Sequence, residues 1–509
     1  WAYNLHYFDW AREYIEESVS KGIWPKDSKY LEAIIDFWID NNHVGKGYGW
    51  DSYTISIRAR NWIWLFIFCP KLKNDKRIES LWDQLCWLQK HLEKSITPNH
   101  YLENLITLIV GSLNFDGEKA ERMLNKTTLI LKKQLDYQIL NDGGHIERSA
   151  SYHILILDRL LEMAFLVEKI KGVRWDWLTS KLIIMTHWTN KIRLINGNFP
   201  SFNDSPKKDT PNIDTVLSFA LSYLNKKNDN LTGLRLLLSQ LNPKNYDLKL
   251  INLENLNNEV DILRNTGWTI IRIGNGWEVC IKWGYPCCKE FPGHCHSDFL
   301  SFDVFYKGLP ILIETGTSKY NSSYTRNFER SGEGHNIIQI SKINRQINKK
   351  SDWIEPIQVW GSFRVGRIAK LLNFESGKDS NGYIWTKASH DGYKKLGVDY
   401  ERNIKVKLLP KGDLKLFIVD NLKCKYPIKW RQNWHEGPDL NKKVLKQILK
   451  NTKLKSQKKL KNLFKNTWTS EGFGIRKKRF SLFIYGIFPK GENELFCSIK
   501  LKKDLLNIK

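Results

Sequence analysis

The stretch DFLSFDVFYKGLPILIE, residues 298–314, decides the fold class of the second half of this chain. Aromatic and aliphatic residues fill it, and Gly308 and Pro310 interrupt it, which is typical of two strands joined by a turn. Similar runs, closed by Gly, Pro or Asn turns, cover residues 266–274, 277–284, 335–341, 383–390, 403–410 and 414–422. The sequence therefore predicts an all-β half, organised as a sandwich of antiparallel sheets.

The first half of the chain has a different period. Apolar residues recur at three- and four-residue spacing, which predicts amphipathic helices over residues 31–40, 79–94, 102–115, 121–135, 153–170 and 217–225. Short polar connectors separate these segments and favour helix-on-helix packing. The change of period predicts an α+β multidomain protein, with a helical domain over residues 1–255 and a β domain over residues 256–509.

The composition restricts the class of partner. The chain has 509 residues, with 80 Lys and Arg against 54 Asp and Glu, a net charge of +26 that attracts polyanions. Nucleic acid, an anionic membrane surface and an acidic polysaccharide all fit this charge, but no nucleic-acid-binding motif is present. We expect no transmembrane helix, because no run of about 18 apolar residues exists. The lysine-rich residues 442–465 are expected to form a solvated or flexible face.

The segment GHCHSDFLSF, residues 293–302, carries three polar side chains at alternate positions. If the segment is extended, His294, His296 and Asp298 project from one face of a strand. Such a row is costly to bury without partners and is useful in a site. The alternative is a half-exposed strand with surface histidines.

A second polar segment is TPNHYLENL, residues 97–105. If Thr97 or Asn99 caps a helix, then His100, Glu103 and Asn104 fall on one helix face. A capping residue with solvated neighbours explains the same pattern, so the spacing leaves both interpretations open.

A third segment, NDGGHIERSASYH, covers residues 141–153. A helix after its Asp-Gly-Gly turn would place Arg148 and Tyr152 one turn apart on the same side. The arginine would then favour the phenolate, the form that a proton-shuttling tyrosine needs. A plain surface Arg–Tyr pair fits equally well.

Two further groups of residues are weaker indications of a functional site. The loop NFPSFNDS, residues 198–205, holds amide side chains and Asp204. His296, Glu314 and His335 supply two imidazoles and a carboxylate, a plausible zinc set with an open position. Their irregular separations do not by themselves identify a metal site.

Five blocks in order carry a resemblance: WAYNLHYFDWA (1–11), SIRARNW (56–62), NHYLEN (99–104), DGGHIERSASYH (142–153) and GHCHSDFLSFDVFYKGLPILIETGT (293–317). Together they resemble the heparinase II/III family of polysaccharide lyases. The resemblance implies an incomplete (α/α) toroid followed by an antiparallel β-sandwich. It also implies β-elimination at a uronic acid, in which a base removes the C5 proton and an acid protonates the leaving O4 oxygen.

The resemblance also assigns roles. Asn99 and His100 match the pair that binds and neutralises the uronate carboxylate, with Glu103 beside them. Tyr152 matches the tyrosine that protonates the leaving oxygen. His294 matches the histidine base.

Further roles follow from the same match. Glu103, Arg148 and Asn203 are expected to contact substrate. His296, Glu314 and His335 match a structural divalent metal site, with zinc the expected ion. The family usually carries Asp at the position of Glu314, which leaves the ligand geometry open.

The expected substrate is an acidic, uronate-containing polysaccharide, heparan- or heparin-like or another polyuronate. The alternative is a catalytically weak relative that binds acidic glycan during assembly of a surface polysaccharide. A periplasmic or secreted bacterial location is expected, although no signal peptide is visible in the chain. The sequence does not indicate an oligomeric state.

Overall fold

The computed structural model describes residues 2–26, 29–95, 98–225, 259–274, 276–343, 353–454 and 460–503. Before residue 226, the described residues form ten α-helices: α1 (Ala2–Leu5), α2 (Asp9–Ser20), α3 (Lys29–Asn41), α4 (Ser52–Phe68), α5 (Asp75–Lys90), α6 (Pro98–Ser112), α7 (Glu118–Gln138), α8 (Ala150–Lys171), α9 (Asp176–Ile192) and α10 (Ile213–Asn225). Two further helices lie among the strands, α11 (Tyr324–Arg330) and α12 (Lys443–Asn451).

After residue 259 the described chain is mostly β-structure. Its strands are β1 (Val260–Leu263), β2 (Trp268–Ile273), β3 (Trp277–Lys282), β4 (Phe302–Tyr306), β5 (Leu309–Leu312), β6 (Ile338–Lys342), β7 (Ile357–Trp360), β8 (Arg364–Ile368), β9 (Leu371–Lys378), β10 (Ile384–His390), β11 (Val398–Leu408), β12 (Leu414–Cys424), β13 (Ile428–His435), β14 (Thr452–Leu454), β15 (Lys461–Gly472), β16 (Ile475–Phe488) and β17 (Gly491–Leu501).

All strand pairings are antiparallel. A five-stranded sheet has the order β1-β2-β3-β4-β5, a six-stranded sheet β14-β17-β12-β11-β10-β9, and a four-stranded sheet β15-β16-β13-β6, while β7 and β8 form a ribbon. Buried residues alternate with partly exposed ones along β11 and β12, as expected for strands with one face in a core. The inner faces of the three large sheets share one apolar core.

The chain divides into two compact units. The helical unit contains Trp1–Gly143, Ile154–His187 and Pro211–Asn252. The sheet unit contains Leu253–Lys509 together with two segments from the helical half, Gly144–His153 and Trp188–Thr210. Tyr152 and the loop around Asp204 therefore belong to the sheet unit.

Apart from residues 293–301, the predicted helices and strands are confirmed as elements, and so is the order of a helical region followed by antiparallel sheets. Closure of the helices into an incomplete toroid stays a prediction. The predicted domain boundary at residues 255 and 256 lies outside the described residues. No helix among the described residues is both long enough and apolar enough to cross a membrane.

The lysine-rich run differs from its expectation. Part of it forms α12, whose Val444, Leu445 and Ile448 are buried in the shared core. Lysines on the remaining face keep that side of the helix polar. The run is therefore partly an amphipathic helix that contributes to the core.

Candidate active site

A buried carboxylate organises the polar residues of the sheet unit. The Asp204 side chain is fully buried and accepts hydrogen bonds from four side chains. Arg326 donates from both terminal nitrogens, Thr317 from its hydroxyl at 3.0 Å, and His294 Nδ1 and His296 Nε2 each lie 2.9 Å from a carboxylate oxygen. We call these five residues the Asp204 cluster. A bidentate arginine–carboxylate pair with further donors is a strongly orienting arrangement.

Electrostatics keep the centre of the cluster ionised. Burial alone would raise the pKa of the Asp204 carboxyl, but the Arg326 guanidinium and the hydrogen bonds hold that pKa well below its usual range. An ionised carboxylate can only accept hydrogen bonds. The ring nitrogens of His294 and His296 that face Asp204 must therefore carry protons.

This arrangement sets the tautomer of His294. With its proton on Nδ1, the neutral ring presents Nε2 as a free lone pair, which is the form that a general base needs. The backbone reinforces the orientation, because Asp204 N donates to the His294 carbonyl at 3.1 Å. The His294 side chain is 7% exposed. Asp204 thus holds His294 by two contacts, one to the imidazole ring and one to the main-chain carbonyl.

Two tyrosines lie against His294. The ring centroids of Tyr152 and His294 are 4.2 Å apart, and the Tyr152 hydroxyl is 2.6 Å from the Tyr320 hydroxyl. Burial raises the pKa of the Tyr152 phenol well above its usual range, and Tyr320 and Asp204 add to this effect. A protonated phenol thus lies beside an imidazole whose Nδ1 is held by a carboxylate, an arrangement that pairs an acid with a base.

The start of α8 explains the position of Tyr152. Ser149 precedes the helix, and its hydroxyl accepts a hydrogen bond from the Tyr152 N–H at 3.3 Å. The same hydroxyl donates to the Asp204 main-chain carbonyl at 2.5 Å. A single capping serine therefore ties the first turn of the helix to the loop that carries Asp204.

The predicted pairing of Arg148 with Tyr152 on one helix face is wrong. Arg148 lies before the helix, in a left-handed conformation with φ of 50°. Its guanidinium donates to main-chain carbonyls, among them that of Cys287 at 3.0 Å. The expected stabilisation of a Tyr152 phenolate is also wrong, because the pKa of this phenol is raised. The substrate contact expected of Arg148 stays a prediction.

The predicted strand over residues 293–301 is also wrong. Residues Pro292–His294 form a single 3-10 turn, an irregular segment follows, and β4 begins only at Phe302. His294 and His296 nevertheless converge, because both bind Asp204. Asp298 points to a different partner, the buried ammonium of Lys282. The irregular backbone rather than strand alternation brings the two histidines together.

Asn203 is expected to contact substrate, yet it is fully buried and tied to the protein. Its amide donates to the carbonyls of Arg148 and Pro286 at 2.9 and 2.8 Å. Its oxygen accepts from Lys282 and from the His296 N–H at 3.2 Å. These contacts favour a role in positioning the histidine segment.

Of the three proposed metal ligands, the two histidines have the chemistry that a metal site needs. His335 Nδ1 bonds Glu314, and His296 Nε2 bonds Asp204, so the other ring nitrogen of each histidine carries a lone pair. Both of these nitrogens are buried and have no hydrogen-bond partner among the described residues. Burial lowers the pKa of both imidazoles, and the neutral form is the one that binds metals.

Glu314 is a poorer candidate for a metal ligand than the two histidines. One of its carboxylate oxygens bonds His335 and the other accepts from the Ser301 hydroxyl. Within the described ranges, no three His, Cys, Asp or Glu side chains are arranged to hold a metal ion. Glu314 therefore resembles a carboxylate that orients a ligand histidine more than a ligand itself.

The helical unit contains the other predicted group, on α6. The helix begins at Pro98, so Asn99 lies inside it and is not its cap, while Thr97 lies outside the described residues. His100 stacks on Tyr53 with ring centroids 4.1 Å apart, and its side chain is 28% exposed.

The shared face of α6 is confirmed for two residues. His100 Nδ1 and the Asn104 amide both contact the Glu93 carboxylate, at 3.2 and 3.1 Å. Glu103 is fully buried and pairs with Arg60. This pairing leaves the Glu103 carboxylate a structural partner for a buried arginine rather than an exposed group.

Four residues of the site were not predicted as functional: Asp204, Thr317, Tyr320 and Arg326. Asp204 lies in a loop that is only a weak signal in the sequence. Tyr320 follows the IETGT motif by three residues, a spacing that could have drawn attention to it. Arg326 has no local signal, because its partner is 122 residues away.

Comparisons with known proteins identify the family of this chain. The model of the heparinase II/III N-terminus matches residues 5–230, and the heparinase II/III-like C-terminal model matches residues 256–485. This chain belongs to the heparinase II/III family. No curated protein matches its sequence at a significant level.

Solved structures that resemble this chain include a heparinase III and a heparan sulfate lyase. A heparinase III structure superposes with a TM-score of 0.71 at 16% identity, over 98% of this chain and 77% of that one. A heparan sulfate lyase from Pedobacter heparinus gives a TM-score of 0.62 at 16% identity, over 98% and 76%. At such low identity these likenesses show a shared fold.

Proposed function

We propose that this polysaccharide lyase cleaves a uronate-containing acidic polysaccharide by β-elimination, with heparan sulfate the first candidate. The observation that carries the proposal is the pair of His294 and Tyr152, an oriented imidazole against a protonated phenol. Family membership and the net charge of +26 support it, since a positive protein attracts a polyanion.

In the proposed reaction, His294 Nε2 removes the proton at C5 of the uronate. The electron pair left on C5 then forms the C4–C5 double bond as the bond between C4 and the O4 oxygen breaks. Tyr152 donates its phenolic proton to the departing O4. Asp204 stabilises the imidazolium that forms, as an ionised carboxylate hydrogen-bonded to Nδ1 can.

The uronate carboxylate must be neutralised for the C5 proton to become acidic enough. We assign this task to Asn99 and His100, as the family resemblance implies. The His100 ring is partly exposed, and its Nδ1 is already bonded to Glu93, which fixes its orientation. These two roles, and the contact of Arg148 with substrate, are proposals that mutants can test.

The first prediction concerns activity. Incubation with heparan sulfate, hyaluronan, alginate and polyglucuronate should give ultraviolet-absorbing unsaturated uronyl ends from at least one polymer. His294→Ala should lower that rate by about 10²- to 10⁴-fold, the usual contribution of a general base. His43→Ala removes an exposed histidine of the helical unit and should keep full activity.

Absence of product from every polymer would refute the lyase proposal. It would favour the alternative of an acidic-glycan-binding protein, which binding assays with the same polymers would then test. A periplasmic or secreted location remains a proposal of the same kind, and fractionation of the producing cell would test it.

The second prediction concerns metal. We propose that His296 and His335 hold a structural divalent ion, zinc by preference, that links the segments carrying them. Elemental analysis of purified protein should find about one equivalent, and His335→Ala should lose it. His390→Ala removes another buried histidine and should retain the metal. Metal-free wild-type protein that keeps its melting temperature would contradict this proposal.

A further inference from the structure

The sheet unit has a cleft that no role described above uses. It has a volume of about 720 Å³ and is lined by residues of β15, β16 and the loop after β13. We call it the Trp468 cleft and define it by Asp439, Asn441, Asn466, Trp468, Arg476 and Lys478. Its volume is in the range of small-ligand sites.

The β15–β16 hairpin builds one wall. Trp468 is directly opposite Lys478 in the ladder, so the two side chains share a face. Arg476 lies two residues before Lys478 and projects to the same side. The wall therefore combines an aromatic ring with two cations.

Both cations are available to a ligand. Arg476 and Lys478 are exposed, and among the described residues neither is within ion-pair distance of a carboxylate, although Arg476 donates to the Thr325 hydroxyl at 3.4 Å. The Arg476 guanidinium lies 5.6 Å from the Trp468 ring centroid. Arginine beside an indole is an arrangement that receives a carboxylate or a sulfate next to a flat sugar face.

The loop after β13 forms another part of the lining. Asp439, Asn441 and Lys442 all adopt left-handed conformations, with φ of 69°, 51° and 66°. Asp and Asn adopt this conformation more readily than other non-glycine residues, and Lys442 is the residue before α12, so the loop takes this path at little cost. It exposes the Asp439 carboxylate and the Asn441 amide, groups that bind sugar hydroxyls.

The cleft is physically linked to the Asp204 cluster within the sheet unit. The Trp468 indole N–H donates to Glu329 at 3.0 Å, and Glu329 lies on α11, the same short helix that carries Arg326. Glu329 also accepts from the Ser318 N–H at 3.0 Å, next to Thr317 of the cluster. Helix α11 and the loop with Thr317 and Ser318 therefore contribute to both the Trp468 cleft and the Asp204 cluster.

We propose that the Trp468 cleft binds an anionic sugar residue of the polysaccharide, separately from the residue that is cleaved. The inference rests on the proposed function for the identity of the polymer. Trp468 would stack on the sugar ring, and Arg476 and Lys478 would bind its carboxylate or sulfate. A polymer held at the cleft has a raised local concentration at the catalytic residues. This second contact therefore lowers the KM for long chains.

The test compares two double variants. Arg476→Ala with Lys478→Ala removes the cleft cations, and Lys378→Ala with Lys423→Ala removes two cations on the six-stranded sheet. The latter side chains are 56% and 70% exposed, so the net charge changes equally without touching the cleft. Retardation in gels containing heparan sulfate measures binding, and product absorbance measures turnover.

The cleft variant should bind heparan sulfate about tenfold more weakly than the control variant. Its KM for the polymer should rise by a similar factor while kcat stays within about twofold. Equal retardation of the two variants would overturn the inference. If wild-type protein produces no unsaturated product but only the cleft variant loses retardation, the lyase proposal fails and the cleft proposal stands.

Discussion

Tyr152→Phe should lower turnover by about 10²- to 10⁴-fold, because the phenol is the group that protonates the leaving oxygen. The variant keeps the ring that packs on His294 and loses only the hydroxyl. Its melting temperature and its retardation by polysaccharide should therefore stay close to those of the wild type. The measurement is the initial rate of unsaturated product formation, on whichever polymer the wild-type protein cleaves.

Tyr383→Phe is the matched control, since it removes a phenol hydroxyl from a partly exposed residue preceding β10. That variant should be fully active. The hydroxyl of Tyr320 lies next to that of Tyr152, so Tyr320→Phe belongs in the same series. If Tyr152→Phe remains active and Tyr320→Phe does not, the acid is Tyr320 and the assignment to Tyr152 is wrong.

Asp204→Asn should affect both stability and catalysis. All four side-chain partners of Asp204 donate hydrogen bonds to it, and an amide replaces one acceptor by a donor. Arg326 would keep its charge in a buried site without a counter-charge, which costs about 3–5 kcal/mol of unfolding free energy. The loss is measured by chemical denaturation.

The catalytic effect of Asp204→Asn follows from the tautomer of His294. Without the carboxylate, Nδ1 no longer has an obligatory proton, and the base is neither oriented nor stabilised once protonated. We expect kcat to fall by about 10²-fold or more, measured at a temperature where the variant is folded. A small change in KM would show that the base and not substrate binding is affected.

Asp303→Asn is the control for this variant. Asp303 is also fully buried in the sheet unit, but its carboxylate accepts from main-chain N–H groups of Ser201 and Glu314. Burial raises its pKa to about 7, so the amide replaces a group that is only partly charged at neutral pH. Equal losses of stability and activity in the two variants would contradict the special role of Asp204.

Acid should weaken the stabilising contribution of the ion pair between Asp204 and Arg326. The folded-state pKa of Asp204 is lowered, so its stabilising contribution is complete above the pKa of the unfolded chain. The contribution is lost as the pH falls from that value toward the lower folded-state pKa.

Much of the fold could be read from local pattern. Strand and helix periods reflect which side chains face a core, and a core demands the same pattern wherever the segment lies. The exceptions are informative. Residues 293–301 have the alternation of a strand, yet Asp204 and Lys282 bind their polar side chains and hold the backbone in an irregular path.

The candidate site was only partly predictable. His294, His296 and Tyr152 carry chemistry that is visible in residue type, and the family motif selects them. The groups that orient them, Asp204 and Arg326, are 90 and 32 residues from His294 along the chain. No spacing rule connects such positions.

The sequence by itself determined the order of a helical region and antiparallel sheets, the positive charge, and the family, because these follow from local periodicity, composition and motif. Only the tertiary structure decided that Asp204 joins two histidines, that Tyr152 meets Tyr320, and that Glu103 and Asn203 are buried among protein partners. The physical reason is range: side-chain chemistry and period are properties of neighbouring residues, whereas hydrogen-bond partners depend on how distant segments pack.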